Sequence, residues 1–333
     1  MSATVEDFVD LANRLADASR PILRSYYRRK LEIDIKSDAS PVTQADREAE
    51  AAIRKLIAAR FPEHGIFGEE FGKERADAEY VWVLDPLDGT RAFVTGRPTF
   101  GTLIALIRNG QPLLGVIDMP VLSDRWVGVI GRPTTLNGEK VTARACPSLN
   151  KAYLSASIPL MFDTAEKRAR FDAVSAKALS TTFGGDCYQY GMVATGFLDL
   201  VIECSLVEYD YLALTPILEG AGGKITDWQG NGLKLGSDDK VIATVFVQCG
   251  AMYRASGPED MKVVGETEFV NGVAAMAASG IYGKTLACHG IVSHATLSLG
   301  VGSAKLLEAH IAAGNRRFRG IRDIGAYDPD PEV

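Results

Sequence analysis

The sequence predicts an α/β (α+β) fold, and three observations carry the prediction. Hydrophobic residues recur at helical spacing near the N-terminus, apolar runs of strand length follow at 81–84, 101–107 and 113–118, and strand and helix patterns alternate from about residue 151. Asn109-Gly110 lies between two of those runs, a strong hairpin signal. The rest is organised around Val81-Trp82-Val83-Leu84-Asp85-Pro86-Leu87-Asp88-Gly89-Thr90, where an apolar strand stops at two aspartates three residues apart. Pro86 stiffens the turn between them, Gly89 permits close approach of the backbone, and Thr90 is placed to cap a following helix.

Taken in order, residues 4–29 read as an amphipathic helix. Thr4 and Asp7 are spaced as a capping pair, and Val5, Phe8, Ala12, Leu15 and Leu23 fall at helical spacing, with Pro21 a candidate kink. Residues 31–36 alternate like a short strand, a polar loop follows, and a second helix spans about 44–60 until Phe61-Pro62 stops it. Gly65-Ile66-Phe67-Gly68-Glu69-Glu70 reads as a short strand closing in a doubled carboxylate. Beyond the hairpin, 125–130 is a third antiparallel strand. The second half should hold strands at 152–157 and 198–203, helices at 164–179, 186–196 and 211–221, a turn at Asn231-Gly232 and an apolar run at 241–247.

A chain of 333 residues has room for two ordinary domains, or one large α/β unit with an addition. Apolar residues make up 47% and charged residues 23%, an ordinary globular composition. A net charge of −6 offers no basic footprint for nucleic acid. No apolar run reaches the roughly 18 residues that span a bilayer. The acidic N-terminus is unlike a secretory signal, and five cysteines without a C-x-x-C pair suit free thiols in a reducing cytoplasm.

Acids carry the chemistry. Asp46, Glu69, Glu70, Asp85, Asp88 and Asp210 all fall at expected strand ends or helix starts. A carboxylate set without His or Cys is hard and oxygen-rich, which selects Mg²⁺ or Mn²⁺ over zinc or copper. A bound cation also removes the repulsion that would otherwise force the acids to protonate, and it can polarise a phosphoryl oxygen and activate water. Each acid alone also suits a solvated charge or a helix cap; Asp46, three residues after Thr43, is the plainest case.

Together, Glu69-Glu70 after Gly68, Asp85-Pro86-Leu87-Asp88-Gly89-Thr90, and Asp210 ahead of Ala221-Gly222-Gly223 resemble the signature set of the inositol-monophosphatase-like phosphatases over about residues 5–245. Within that superfamily the chain is more similar to the histidinol-phosphate phosphatase branch. The stretches that carry this are Gly96-Arg97-Pro98-Thr99-Phe100-Gly101-Thr102, Gly184-Gly185-Asp186-Cys187-Tyr188-Gln189-Tyr190 and Tyr209-Asp210-Tyr211-Leu212-Ala213. The resemblance implies a layered αβαβα sandwich, a larger N-terminal sheet carrying the metal loop and a smaller α/β half supplying Asp210 and the substrate groups. It implies that Glu69, Asp85, Asp88, Asp210 and the Leu87 carbonyl ligate two or three Mg²⁺ (or Mn²⁺) ions. Asp46 and Thr90 would orient and deprotonate the attacking water, with Glu70 placing a second water, and no covalent enzyme intermediate forms. The amides of Gly89 and Thr90, at a helix start, would hold the phosphate. Glu203, seven residues before Asp210, would contact the organic part of the substrate. With Asp186 it suits the amine and imidazole of histidinol; Asp186 is an equally good helix cap. Tyr209 and Gly220 stand where many relatives have Trp and Glu, with Glu219 displaced by one, which favours histidinol phosphate over inositol phosphate. An inositol-1-monophosphatase or a broad sugar-phosphate phosphatase is the alternative, and amidohydrolase activity from the C-terminal segment is a third reading. The partner is a small phosphorylated metabolite, with no nucleic acid and no membrane, and the resemblance implies a homodimer. Lys36 reads as a surface lysine that competes with a place near the phosphate.

The expected organisation is a phosphomonoesterase domain over 1–240, its two halves meeting near 150, and a C-terminal segment over 241–333. That segment resembles a fragment of a TIM-barrel amidohydrolase at 243–249, 265–274 and 317–322, without that fold's His-x-His strand or late metal aspartate. A partial barrel leaves strand edges unpaired, so this segment is expected to add little or no chemistry of its own. His289, His294 and His310 lack partner motifs for a metal site.

Overall fold

The computed structural model describes residues 3–29, 34–35, 41–42, 44–237, 256, 258, 261, 264, 291–294, 302–314 and 318–322. Helix α1 (Val5–Tyr26) starts at the expected capping box: the Thr4 N–H donates to Asp7 Oδ2 at 2.9 Å, and the Asp7 N–H donates back to Thr4 Oγ1 at 3.3 Å. A short antiparallel pair, β1 (Asp34–Ile35) and β2 (Pro41–Val42), leads to α2 (Gln44–Arg60).

An eight-stranded sheet follows. It comprises β3 (Gly65–Gly68), β4 (Gly72–Glu74), β5 (Tyr80–Asp88), β6 (Gly101–Arg108), β7 (Gln111–Asp118), β8 (Arg125–Val129), β9 (Thr135–Leu136) and β10 (Glu139–Lys140), in the order β10-β9-β8-β7-β6-β5-β3-β4. Only β3 and β5 run parallel. The β6–β7 hairpin turns at Asn109-Gly110, both at positive φ, as the sequence predicts. The one-turn helix α3 (Thr90–Val94) connects β5 to β6.

Side chains alternate across this sheet, and both faces are covered. Val81 and Val83 of β5, with Leu103 and Ala105 of β6, enter one core; Trp82 and Leu84, with Ile104 and Leu106, enter the other. The second core is closed by Phe8, Leu11 and Leu15 of α1 and Ile53 and Ile57 of α2. Each such aliphatic side chain contributes about 1.5–3 kcal/mol when fully buried.

The second half supplies three further layers. A three-stranded parallel sheet, β12-β11-β13, is built from β11 (Tyr153–Ala156), β12 (Ser180–Phe183) and β13 (Leu200–Val201). Helix α4 (Ala165–Ser175) packs Phe171 onto its outer face, against Leu154, Phe162 and Leu200. Between the two sheets lie α5 (Asp186–Ala194), α6 (Glu208–Tyr211) and α7 (Leu214–Gly220), whose Tyr190, Tyr211, Leu214 and Ile217 fill the first core. The result is the expected αβαβα sandwich.

Helix α7 lies almost on the backbone of the large sheet. Gly115 of β7 and Gly128 of β8 are paired neighbours in register. A Cβ on Gly115 would fall 1.9 Å from the Ala213 carbonyl oxygen, and one on Gly128 would fall 2.5 Å from the Ile217 backbone. Two absent side chains set how closely this helix approaches.

Several details differ from the sequence reading. The 211–221 helix is two pieces, because Pro216 cannot donate to the Leu212 carbonyl and is tolerated only in the first turn of α7. The helix expected over 164–179 ends at Ser175, and β12 follows unpredicted; it is an edge strand with largely exposed residues and so lacks apolar alternation. The turn near Asn231 is centred earlier, with Asp227 accepting the N–H groups of Gln229 and Asn231.

Contacts divide the chain into two compact units, Met1–Gln248 and Cys249–Val333. In the second unit, β14 (Ile291–His294) and β15 (Phe318–Arg322) pair in parallel, and α8 (Gly302–Gly314) buries Leu306 beside Val264. The expected run at 241–247, the stretches at 243–249 and 265–274, Lys36 and His289 lie outside the described residues. Among the described residues, no helix is long and apolar enough to cross a membrane.

Candidate active site

The parallel pairing of β3 with β5 brings two chain ends together. Gly68 is opposite Leu84, and the Glu69 N–H donates to the Leu84 carbonyl at 3.1 Å, so Glu69 and Glu70 emerge beside Asp85. Carboxyl ends of parallel strands are where ligands bind in open α/β sheets. Asp46, the third residue of α2, joins them, and ligand oxygens of Asp46, Glu69 and Glu70 lie within 4.8 Å of one another. A second group forms from Asp85, Asp88 and Asp210, also within 4.8 Å, with Asp210 brought in by α6.

Asp85, Asp88 and Asp210 each accept a backbone N–H. The strand does not turn at Pro86 as expected; β5 continues to Asp88 with a break in register between Asp85 and Asp88. Asp85 Oδ1 accepts the Leu87 N–H at 3.0 Å across this bulge. Asp88 Oδ2 accepts the Cys187 N–H at 2.6 Å, and Asp210 Oδ2 accepts the Val207 N–H at 2.8 Å. Burial, then the neighbouring acids led by Glu69, holds Asp85 well above the usual carboxylate range. Burial and Asp88 do the same to Asp210, and burial raises Asp88 against the opposing Cys187 hydrogen bond. The two groups are oxygen donors without His or Cys, and acids crowded in this way gain most from a hard divalent cation. Among the described residues the metal-capable groups are these two, and His310 belongs to neither.

Thr90 does not cap the helix. The N-cap is Gly89, in the left-handed region at φ 83°, and Thr90 is the first helical residue, its Oγ1 donating to the Leu87 carbonyl at 3.2 Å. A side chain at Gly89 would meet Asp186 Cβ at 3.0 Å and Phe100 Cα at 3.2 Å, so the loop conformation and its surroundings both require glycine. Because α3 has five residues, any anion there is held by local N–H groups more than by a long helix dipole. Asp186 is no cap either: Gly185 holds that position, while Asp186 sits at φ 44° with its side chain against Gly89.

Asp46, Glu69, Glu70, Asp88 and Asp210 line one cavity of about 1140 Å³, which Asp186, Glu203, Ser157, Arg91 and Arg97 also line. Burial first, then Asp88 and Glu203, raises Asp186 to about 7, opposed by Arg91 and Arg97. Glu203 is 2% exposed; its Oε1 accepts the Ser157 N–H at 2.8 Å and its Oε2 the Tyr190 hydroxyl at 2.5 Å.

Sequence reasoning missed Glu50. Fully buried on α2, it accepts the Glu70 N–H at 2.8 Å, the Phe71 N–H at 3.3 Å and Arg54 Nε at 2.7 Å, and so fixes the turn that presents Glu69 and Glu70. The i,i+4 spacing to Arg54 was readable, but it suits a solvated pair equally well. It missed Tyr190 too, whose only signal is a place one helical turn after Asp186.

Acids at the carboxyl ends of parallel strands, inside an αβαβα sandwich, define a phosphatase of the metal-dependent kind. The chain belongs to the inositol monophosphatase family, which it matches over residues 4–255; members act on phosphate monoesters and depend on a metal. It is 48% identical to the bifunctional phosphatase IMPL2, chloroplastic, of Arabidopsis thaliana over 73% of this chain and 70% of that one. It is 34% identical to a histidinol-phosphatase of Chlorobaculum parvum over 67% and 86%. Among solved structures, an inositol monophosphatase from Zymomonas mobilis superposes with a TM-score of 0.67 at 48% identity, covering 73% of this chain and 94% of that one.

Proposed function

We propose that this chain is a Mg²⁺-dependent histidinol-phosphatase that converts L-histidinol phosphate to L-histidinol, a step of histidine biosynthesis. The observation that carries the reading is the pairing of two carboxylates, the half-buried Asp186 and the buried Glu203, on the wall of the cavity that holds the acidic groups. An organic group bearing an amine and an imidazole matches them; a neutral cyclitol brings no positive charge to either carboxylate. Similarity to histidinol-phosphatases at 33–34% identity supports the same substrate.

Glu69, Asp85, Asp88, Asp210 and the Leu87 carbonyl hold the cations, Mg²⁺ or Mn²⁺, in two or three sites. When bound, these ions neutralise the phosphoryl oxygens and lower the pKa of a water. The chain's own residues do the rest. The N–H groups of Gly89 and Thr90 orient the phosphate. Asp46 and Thr90 orient the attacking water and take its proton, and Glu70 holds a second water. Asp186 and Glu203 anchor the organic part. The enzyme works as a homodimer in a reducing compartment, the cytoplasm, in keeping with free thiols at Cys146, Cys187 and Cys204.

Phosphate release from histidinol phosphate and from inositol 1-phosphate, with and without Mg²⁺, tests this on wild type and Asp85→Asn. Wild type should favour histidinol phosphate and need Mg²⁺, and the variant should lose at least about 100-fold in rate. Equal rates on both monoesters would overturn the substrate, and full activity of Asp85→Asn would overturn the metal assignment.

A further inference from the structure

The two oxygens of Glu203 are held by neutral donors, the Ser157 N–H and the Tyr190 hydroxyl. Tyr190 is itself 2% exposed, its ring fixed in the core with Val201 and Tyr211. It stands four residues after Asp186 on α5, so one helix face presents Asp186 and, a turn later, the phenol that reaches Glu203. A second arm runs from Gln189 Nε2 to Ser157 Oγ at 3.1 Å and tethers the residue whose N–H grips the other oxygen.

We propose that Tyr190 is a positioning residue: by donating to Glu203 it keeps that carboxylate charged and aimed into the cavity, and so governs preference for a cationic organic group over a neutral one. This rests on the substrate reading above. Burial raises Glu203 toward its neutral form, helped by Asp88, and the Ser157 and Tyr190 donors oppose that push without cancelling it. The phenol remains a donor throughout, since burial and the adjacent Glu203 raise it far above the physiological range. Without the hydroxyl, Oε2 loses its donor among the described residues, and the flexible Glu side chain is free to rotate or take up a proton. Either event weakens attraction for a cation. A neutral polyol, which needs only a hydrogen bond from this wall, loses far less.

Tyr190→Phe removes one oxygen and keeps the ring. The ratio of kcat/KM for histidinol phosphate over inositol 1-phosphate should fall about ten-fold, the size expected for a hydrogen bond to a charged group. The loss should lie in KM for the cationic monoester, with kcat within about two-fold. Glu203→Gln should lose the same preference, and Tyr190→Phe should cost nothing further on that background, an interaction that a general packing defect does not produce. If Phe impairs folding, Tyr190→Met fills the volume without the hydroxyl and gives the same comparison. A variant that keeps the wild-type ratio, lowers both monoesters alike or adds its effect to Glu203→Gln overturns the role of Tyr190 alone. Wild type with no preference for the cationic monoester overturns the substrate reading and this role with it.

Discussion

Replacing Glu50 by Gln changes one oxygen of a side chain that never meets solvent or substrate. Its Oε2 accepts the Glu70 N–H, and its Oε1 accepts both Arg54 Nε and the Phe71 N–H. Gln offers one acceptor where there were two, so a backbone N–H of the 69–71 turn or the guanidinium of Arg54 faces an NH₂ group. An unsatisfied buried donor costs about 1–3 kcal/mol. Breaking a fully buried ion pair costs about 3–5 kcal/mol, but Arg54 keeps 15% of its side chain exposed and has Glu74 at 3.6 Å, so the loss is smaller here. A total of about 2–4 kcal/mol follows, which lowers Tm by about 4–16 °C for a unit of this size. The same turn presents Glu69 and Glu70, and loss of a supporting partner typically weakens metal binding by about 10–100-fold. Thermal melts with and without Mg²⁺ measure both, because the Mg²⁺-induced rise in Tm reports affinity by linkage. A variant that melts within about 1 °C of wild type and keeps the full Mg²⁺ response refutes this account of the turn.

Gly89→Ala should reduce kcat/KM by up to ~100-fold, because a left-handed alanine costs about 1–2 kcal/mol and its methyl presses on Asp186 and Phe100, shifting the N–H groups; wild-type kinetics would sink this. His64 supplies a pH effect on stability rather than activity. Stacked against Phe61 and Tyr80, it accepts the Trp82 indole N–H on Nδ1 at 3.1 Å, a bond only the unprotonated nitrogen can accept, and burial lowers its pKa. Its contribution is therefore complete above the unfolded value near 6.5, falls as pH drops below that, and levels off once pH passes the lowered folded pKa. Urea unfolding of wild type and His64→Phe between about pH 5 and 7.5 should show a steeper fall for wild type; parallel curves would remove His64 as the cause.

The clustered acids were readable in the sequence because each stands where an apolar pattern ends or begins. Asp85 and Asp88 close a buried strand, Glu69 and Glu70 close another, and Asp46 opens a helix. Glu50, Ser157 and Tyr190 sit inside elements, and nothing in their local pattern distinguishes them from packing residues. Their roles arise where α2 meets the β3 turn, or where α5 meets the small sheet, and those meetings are tertiary. Thr90 misled for a related reason: threonine is a favoured cap, but the left-handed backbone at Gly89 takes that position and turns the hydroxyl toward Leu87. The edge strand β12 was hidden because exposure erases the alternation that reveals a strand.

The paired glycines under α7 have a consequence for the spacing of the clustered acids. Asp210 is three residues before Ala213, whose carbonyl rests in the space Gly115 leaves empty. The gap between Asp210 and the two aspartates of β5 is thus inherited from the clearance between a helix and a sheet. Mg²⁺ demands oxygens at about 2.0–2.1 Å, whereas Ca²⁺ accepts about 2.3–2.6 Å. A methyl group at either glycine would lift α6 and α7 like a shim and widen the jaws of the carboxylate clamp. The carboxylate spacing that any bound cation would meet is in this way written partly into two positions that carry no side chain.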